Sequence, residues 1–162
     1  MADVEIVRCS DADEWDRWLA EHGETRPAVW LTIAKKGSAA VTITAAEAGD
    51  VAICHGWIDG QRRGLDATHF LQRYSPRRPG SPWSQVNVER VAALEATGRM
   101  RPAGRAQVAA AKADGRWAAA YPPQRTAAVP DDLAAALAGS DRARAAYEAL
   151  SRGDRYVVFL PL

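Results

Sequence analysis

The segment spanning residues 55–87, HGWIDGQRRGLDATHFLQRYSPRRPGSPWSQVN, constrains this chain more than any other stretch. Its glycines and prolines cut it into pieces too short for a long helix, so it must run as strand, turn, strand and stiff loop. Trp57, Ile58 and Asp59 read as a short strand, and residues 60–64 as a basic turn. Residues 68–75 (THFLQRYS) read as the returning strand, with Phe70, Gln72 and Tyr74 on one face and His69, Leu71 and Arg73 on the other. Three prolines in residues 76–82 stiffen the loop that follows.

Further elements flank this segment on both sides. Ser10 is the expected N-cap of a helix reaching His22, with Asp11, Asp13 and Glu14 at its positive end. Trp15, Trp18 and Leu19 share its core face. Residues 28–34 (AVWLTIA) form a strand, and residues 41–43 a second short strand or an extended lead-in. Thr44 and Glu47 make a capping box that opens a helix ending at His55, where Gly56 supplies a left-handed residue. Ser84 caps a helix over residues 85–96, and Pro102 opens another that ends near Gly115. Two short helices, over 131–138 and 141–150, follow a proline linker. Strands lie early and helices late, which predicts an α+β fold: a small antiparallel sheet in the N-terminal half, packed by helices, and a helical C-terminal half. The apolar end, residues 155–162 (RYVVFLPL), should add a strand or dock in a groove, and it leans the expectation toward a homodimer.

The 162 residues are enough for one domain with a real core, and a single domain over 1–162 is the expectation. No apolar run approaches the ~20 residues that span a bilayer. The N-terminus has no basic region followed by an apolar block, so no signal peptide is expected, and the sparse cysteines make a reducing cytoplasm the simplest reading. Two cysteines, Cys9 and Cys54, make no disulfide framework. The three histidines have no metal-ligand spacing with them, and dinucleotide and P-loop strings are absent, so neither a metal nor a cofactor is called for. The net charge is +1, yet residues 62–83 hold five arginines against Asp66, a local +4. Such a patch on a near-neutral chain fits a small anion or an acidic partner at least as well as nucleic acid, whose non-specific binders are broadly basic.

The candidate site follows from that patch. Arg73, Arg77 and Arg78 end a strand and enter the proline loop, and guanidinium forks match carboxylate or phosphate. Ser84, Asn87 and the first amides of the next helix add donors. The alternative is a structural network pairing the arginines with Asp59, Asp66 and Glu89. Trp57, Tyr74 and Trp83 either stack a ligand or fill the core. His55 is a proton carrier or a helix cap, and Asp59 orients a neighbour or holds its own turn. His69 and Cys54 read as structural.

The run ICHGWIDGQRRGLDATHFLQRYSPRRPGSPWSQVNVERVAALEATGRMRPAG resembles the YdeI/OmpD-associated, or bacteriocin-protection, family. The matching elements are Trp30-Leu31, the KKGS of Lys35, Lys36, Gly37 and Ser38, the GWIDG beginning at Gly56, Gln72-Arg73, Pro76-Arg77, Trp83-Ser84 with Asn87, and Gly98-Arg99-Met100 before Pro102-Ala103-Gly104. Together they place the likeness over about residues 28–120, with AAKADGRWAAAY fitting its end. His55 stands where that family has an aromatic residue, and the family's basic helix after the RY-apolar segment is missing here. The resemblance implies a small cytosolic bacterial protein linked to resistance to antimicrobial peptides or stress.

The leading expectation is therefore a protein that binds an anionic or peptide-like small ligand through Trp57, Arg73, Tyr74, Arg77, Arg78, Trp83, Ser84 and Asn87. A second is an enzyme using His55 and Asp59 for acid–base chemistry in the same pocket; no activated nucleophile is evident. A third is nucleic-acid binding by the basic loop.

Overall fold

A computed structural model describes residues 4–159. They form two compact units, divided between Ala120 and Tyr121. In the first, a four-stranded sheet has the order β1-β2-β4-β3, built from β1 (Ile6–Arg8), β2 (Val29–Ala34), β3 (Trp57–Gly64) and β4 (His69–Pro76). Helices α1 (Ala12–His22), α2 (Ala45–Cys54), α3 (Gln85–Ala96) and α4 (Pro102–Ala113) complete it. The class is α+β, as expected.

The sheet is mixed, however, and not wholly antiparallel. β1 pairs parallel to β2, with Ile6 beside Trp30, while β2–β4 and β3–β4 are antiparallel. A parallel neighbour requires a crossover, and α1 supplies it. A three-residue strand shows no alternation to read, so β1 left no trace in the periodicity. Residues 41–43 are an extended lead-in, not a strand.

The basic turn expected at residues 60–64 is also strand. β3 runs on through Gly64, with a bulge between Asp59 and Arg62. A bulge leaves carbonyls without ladder partners. The side-chain amide of Gln72, 3% exposed, fills that gap: its Nε2 donates to Gly60 O at 2.9 Å and to Gln61 O at 3.2 Å. The true hairpin turn comes later, where the Asp66 carboxylate accepts from Thr68 N and His69 N, each at 2.7 Å.

Caps explain the helix starts. Asp11, rather than Ser10, caps α1, its carboxylate accepting from Glu14 N at 2.9 Å. The Ser10 amide donates back to the Glu14 carboxylate at 2.7 Å, so the cap is set one residue later than expected. Thr44 and Glu47 form the anticipated reciprocal box.

Two apolar clusters hold the unit. Trp15, Leu19, Val29, Leu31, Ile33, Val51, Trp57 and Tyr74 join α1 and α2 to one face of the sheet. Ile53, Cys54, Trp83, Val91, Leu94, Met100 and Val108 join α2, α3 and α4. α2 belongs to both, which makes it the hub of the N-terminal unit.

The second unit contains α5 (Asp131–Ala138), α6 (Asp141–Ala149) and α7 (Arg152–Phe159). The apolar end expected to be a strand or a docked tail is helical as far as Phe159; residues 160–162 lie outside the described residues. Ser151 starts that helix: its hydroxyl accepts from Asp154 N at 3.1 Å and donates to the Asp154 carboxylate at 2.7 Å. This local cap outweighs the strand preference of Val157 and Val158.

Candidate functional site

The site grows from the meeting of two helix ends. α2 finishes at Cys54 with His55 as its C-cap, and Gly56 turns the chain at φ +75°. α4 starts at Pro102, with Arg101 at the N-cap position. The amide of Arg101 donates to Cys54 O at 3.0 Å. Gly104 permits this approach, because a Cβ there would stand 2.2 Å from the same oxygen. The negative end of one helix thus abuts the positive end of the other. Pro102 suits the first helical position because it has no N–H to leave unpaired.

Across this junction lies an ion network. His55 Nε2 is 2.8 Å from Asp16 Oδ1. Arg101 grips the same carboxylate twice, at 2.6 Å to Oδ2 and 3.3 Å to Oδ1. Partial burial alone would raise the Asp16 pKa, but the hydrogen bonds from Arg101 and His55 outweigh it and hold the group below the ordinary carboxylate range. Asp16 therefore stays ionised, orients Arg101 through Nε and Nη2, and fixes the imidazole.

Beside this network is a cavity of about 360 Å³ lined by Leu19, Ala20, Gly23, Glu24, His55, Trp57, Arg101, Pro102 and Ala103. Its walls are mainly apolar, and each sign of charge is present once, at Glu24 and Arg101. A smaller, more polar cavity of about 230 Å³ is lined by Asp13, Asp16, Arg99 and Arg101 among others. Arg101 lines both. Cys54 also borders the smaller one, where burial pushes its thiol pKa up, so it is a protonated core group and no ready nucleophile.

The residues singled out from the sequence fall into separate places. His55 and Trp57 line the larger cavity together. Asp59 sits exposed at the β3 bulge, and the carboxylate that meets His55 is Asp16 instead. Arg77 is 4% exposed, with its guanidinium 3.7 Å over the Trp83 ring and one N–H donating to Pro82 O at 3.3 Å. Its backbone amide ties the loop to Gly56 O at 3.0 Å. Arg73 is half-buried on β4 opposite Trp30, whereas Arg78 is exposed. Tyr74 and Trp83 are buried in the two core clusters. Ser84 caps α3 by accepting from Asn87 N at 3.1 Å.

Sequence reasoning missed Asp16, Glu24 and Arg101. One signal was present: aspartate is a poor mid-helix residue, and Asp16 lies inside α1 next to the buried Trp15. Arg101, just before the helix-opening Pro102, gave no sign of its partner, which lies far away in the chain.

These features define a mixed α+β unit with a half-apolar cavity against a His–Asp–Arg network. No group of three or more His, Cys, Asp or Glu side chains among the described residues could hold a metal ion. No described helix is long and apolar enough to cross a membrane. The chain belongs to the family described as Domain of unknown function (DUF8412), which matches residues 7–107. Residues 126–162 match the family described as Bacteriocin-protection, YdeI or OmpD-Associated. The resemblance drawn from the sequence is thus borne out, over a C-terminal stretch; most of the motifs that first carried it fall within the DUF8412 match. No curated protein and no solved structure matches the chain significantly.

Proposed function

We propose that this chain is a small binding protein for an anionic or peptide-like ligand, and that the cavity beside His55 and Trp57 receives it. One observation carries the reading: the cavity joins an apolar wall of Leu19, Trp57 and Pro102 to one cation, Arg101, and one anion, Glu24. Arg101 already gives Nε and Nη2 to Asp16, and its remaining N–H donors match a ligand carboxylate, while Glu24 matches an ammonium and the wall an apolar side chain. Both signs on one cavity favour a peptide end over a simple anion. The C-terminal match to the bacteriocin-protection family supports a protective role against antimicrobial peptides or stress. Cys9 and Cys54 are free and buried, which fits action in a reducing compartment such as the cytoplasm. Arg77 contributes indirectly, by holding the loop after β4 against Gly56.

Isothermal titration with Leu-Leu and with its C-terminal amide tests this. The free acid should bind about tenfold tighter than the amide, a difference of about 1.4 kcal/mol, and Arg101→Gln should erase the preference. Equal binding of acid and amide, or no binding of either, would refute it.

The His55–Asp16 contact favours a second reading, acid–base catalysis on the same ligand, because a carboxylate-held imidazole is the usual proton carrier. Turnover of a bound peptide by wild type that His55→Gln abolishes would support it; full turnover by that variant would exclude it.

A further inference from the structure

A separate cavity of about 190 Å³ lies within the C-terminal unit, lined by Arg125, Arg152, Arg155, Tyr147, Tyr156 and Val129 among others. Residues 121–162 hold five arginines and five acidic residues, so the unit has no net charge. Three of those arginines line this cavity and none of the acids does. Several acids are engaged elsewhere. Asp141 pairs with Arg144 at 2.6 Å. Asp154 accepts the Ser151 hydroxyl at 2.7 Å, and Asp132 accepts Leu133 N at 2.8 Å.

The three guanidinium groups differ in a telling way. Arg155 is fixed: its Nε donates to Leu150 O at 3.0 Å and an Nη donates to Glu148 O. It stands 5.7 Å from the centre of the Tyr147 ring. Carbonyls orient it without neutralising it. Arg125 and Arg152 are exposed and make no hydrogen bond or ion pair among the described residues. Tyr156 is anchored through its hydroxyl to Pro122 O at 3.0 Å, which holds its ring in place. The result is one oriented cation, two adjustable ones and two aromatic walls around a single hollow.

Three like charges around one cavity repel one another, and an oxyanion relieves this while accepting charge-assisted hydrogen bonds from several forks. Drug-sized ligands need pockets of roughly 300 Å³ or more, so this one suits a smaller guest. The tyrosines and Val129 favour one with a flat apolar body. We propose that the C-terminal unit binds a small aromatic oxyanion, an aryl phosphate or aryl carboxylate, between Arg125, Arg152 and Arg155. The site shares no residue with the N-terminal cavity and does not depend on the function proposed for it.

Titration of the full chain with phenyl phosphate, benzoate and inorganic phosphate at low salt tests the site. Phenyl phosphate or benzoate should bind saturably, at least tenfold tighter than inorganic phosphate. Whichever binds tighter names the oxyanion. The Arg125→Gln/Arg152→Gln double variant should lose at least tenfold in affinity at unchanged melting temperature. Arg142→Gln, outside the cavity, and Arg101→Gln, in the N-terminal unit, should bind as wild type. Absence of saturable binding would overturn the proposal. So would an unaffected double variant, equal affinity for inorganic phosphate, or a loss caused by Arg101→Gln.

Discussion

Gly104→Ala should destabilise this protein, although helix propensity says the opposite. In a helix interior alanine is favoured over glycine by about 1 kcal/mol, and Gly104 lies near the start of α4 with no positive φ to protect. The added Cβ would sit 2.2 Å from Cys54 O and 2.7 Å from Ile53 O. Ordinary contact begins near 3.4 Å, so α4 must withdraw from α2 by about 1 Å. Both obstacles are backbone, so no rotamer change relieves the clash. Overpacking of this kind costs about 1–3 kcal/mol. Withdrawal also stretches the Arg101 N–H bond to Cys54 O, whose loss adds about 1 kcal/mol. Against the propensity gain, the net expectation is a loss of about 1–3 kcal/mol. For a protein of this size that is roughly 3–9 °C in melting temperature, read by calorimetry or circular dichroism. The same displacement pulls Arg101 from Asp16, so peptide affinity should fall with stability. Ala109→Gly, at an exposed position of the same helix, should lower stability by about 1 kcal/mol and set the propensity scale. A Gly104→Ala protein as stable as wild type, or more so, would show that the two helix ends do not meet as described.

Other outcomes follow from the same geometry. Asp16→Asn should cost about 1–3 kcal/mol at neutral pH, because Arg101 and His55 lose a shared charged acceptor. The folded Asp16 pKa lies below its unfolded value, so its stabilisation is complete above about pH 4 and fades as pH falls toward the folded value; urea melts from pH 7 to 3 should therefore show a shallower acid limb in the variant. Gly56→Ala should lose about 1–2 kcal/mol, since it forces a side chain to φ +75° with Ala103 O 3.0 Å from its Cβ; an unchanged urea midpoint would contradict the turn. Arg77→Lys should lower the melting temperature despite keeping the charge, because an ammonium cannot stack its plane on Trp83; equal stability would mean that the stacking contributes nothing.

Much of this structure is readable in the sequence. The capping box at Thr44 and Glu47, the stops at Gly56, Gly98 and Gly115, and the helix opened by Pro102 are local chemistry, fixed by neighbours a few residues apart. So were most strands and the α+β class. The errors have separate causes. β1 was too short to carry a period. The strand through residues 60–64 depends on Gln72, whose amide satisfies a bulge on the opposite strand. α7 starts at a serine–aspartate cap overshadowed by its apolar composition.

The candidate site divides along the same line. His55 and Trp57 drew notice because they stand beside a glycine turn, a feature of contiguous sequence. Asp16 and Arg101 could not be joined to them, because 85 positions separate the two and only the packing of α1 and α4 on α2 brings them together. The arginine-rich loop stood out by composition, yet composition does not say which way a guanidinium faces. Folding placed Arg77 on a tryptophan, left Arg78 in solvent and put Arg73 on the sheet. Residue types and near-neighbour chemistry determined the elements and their ends. Long-range packing decided which charges share a cavity, because electrostatic and hydrogen-bond partners depend on distance in space and not on position along the chain.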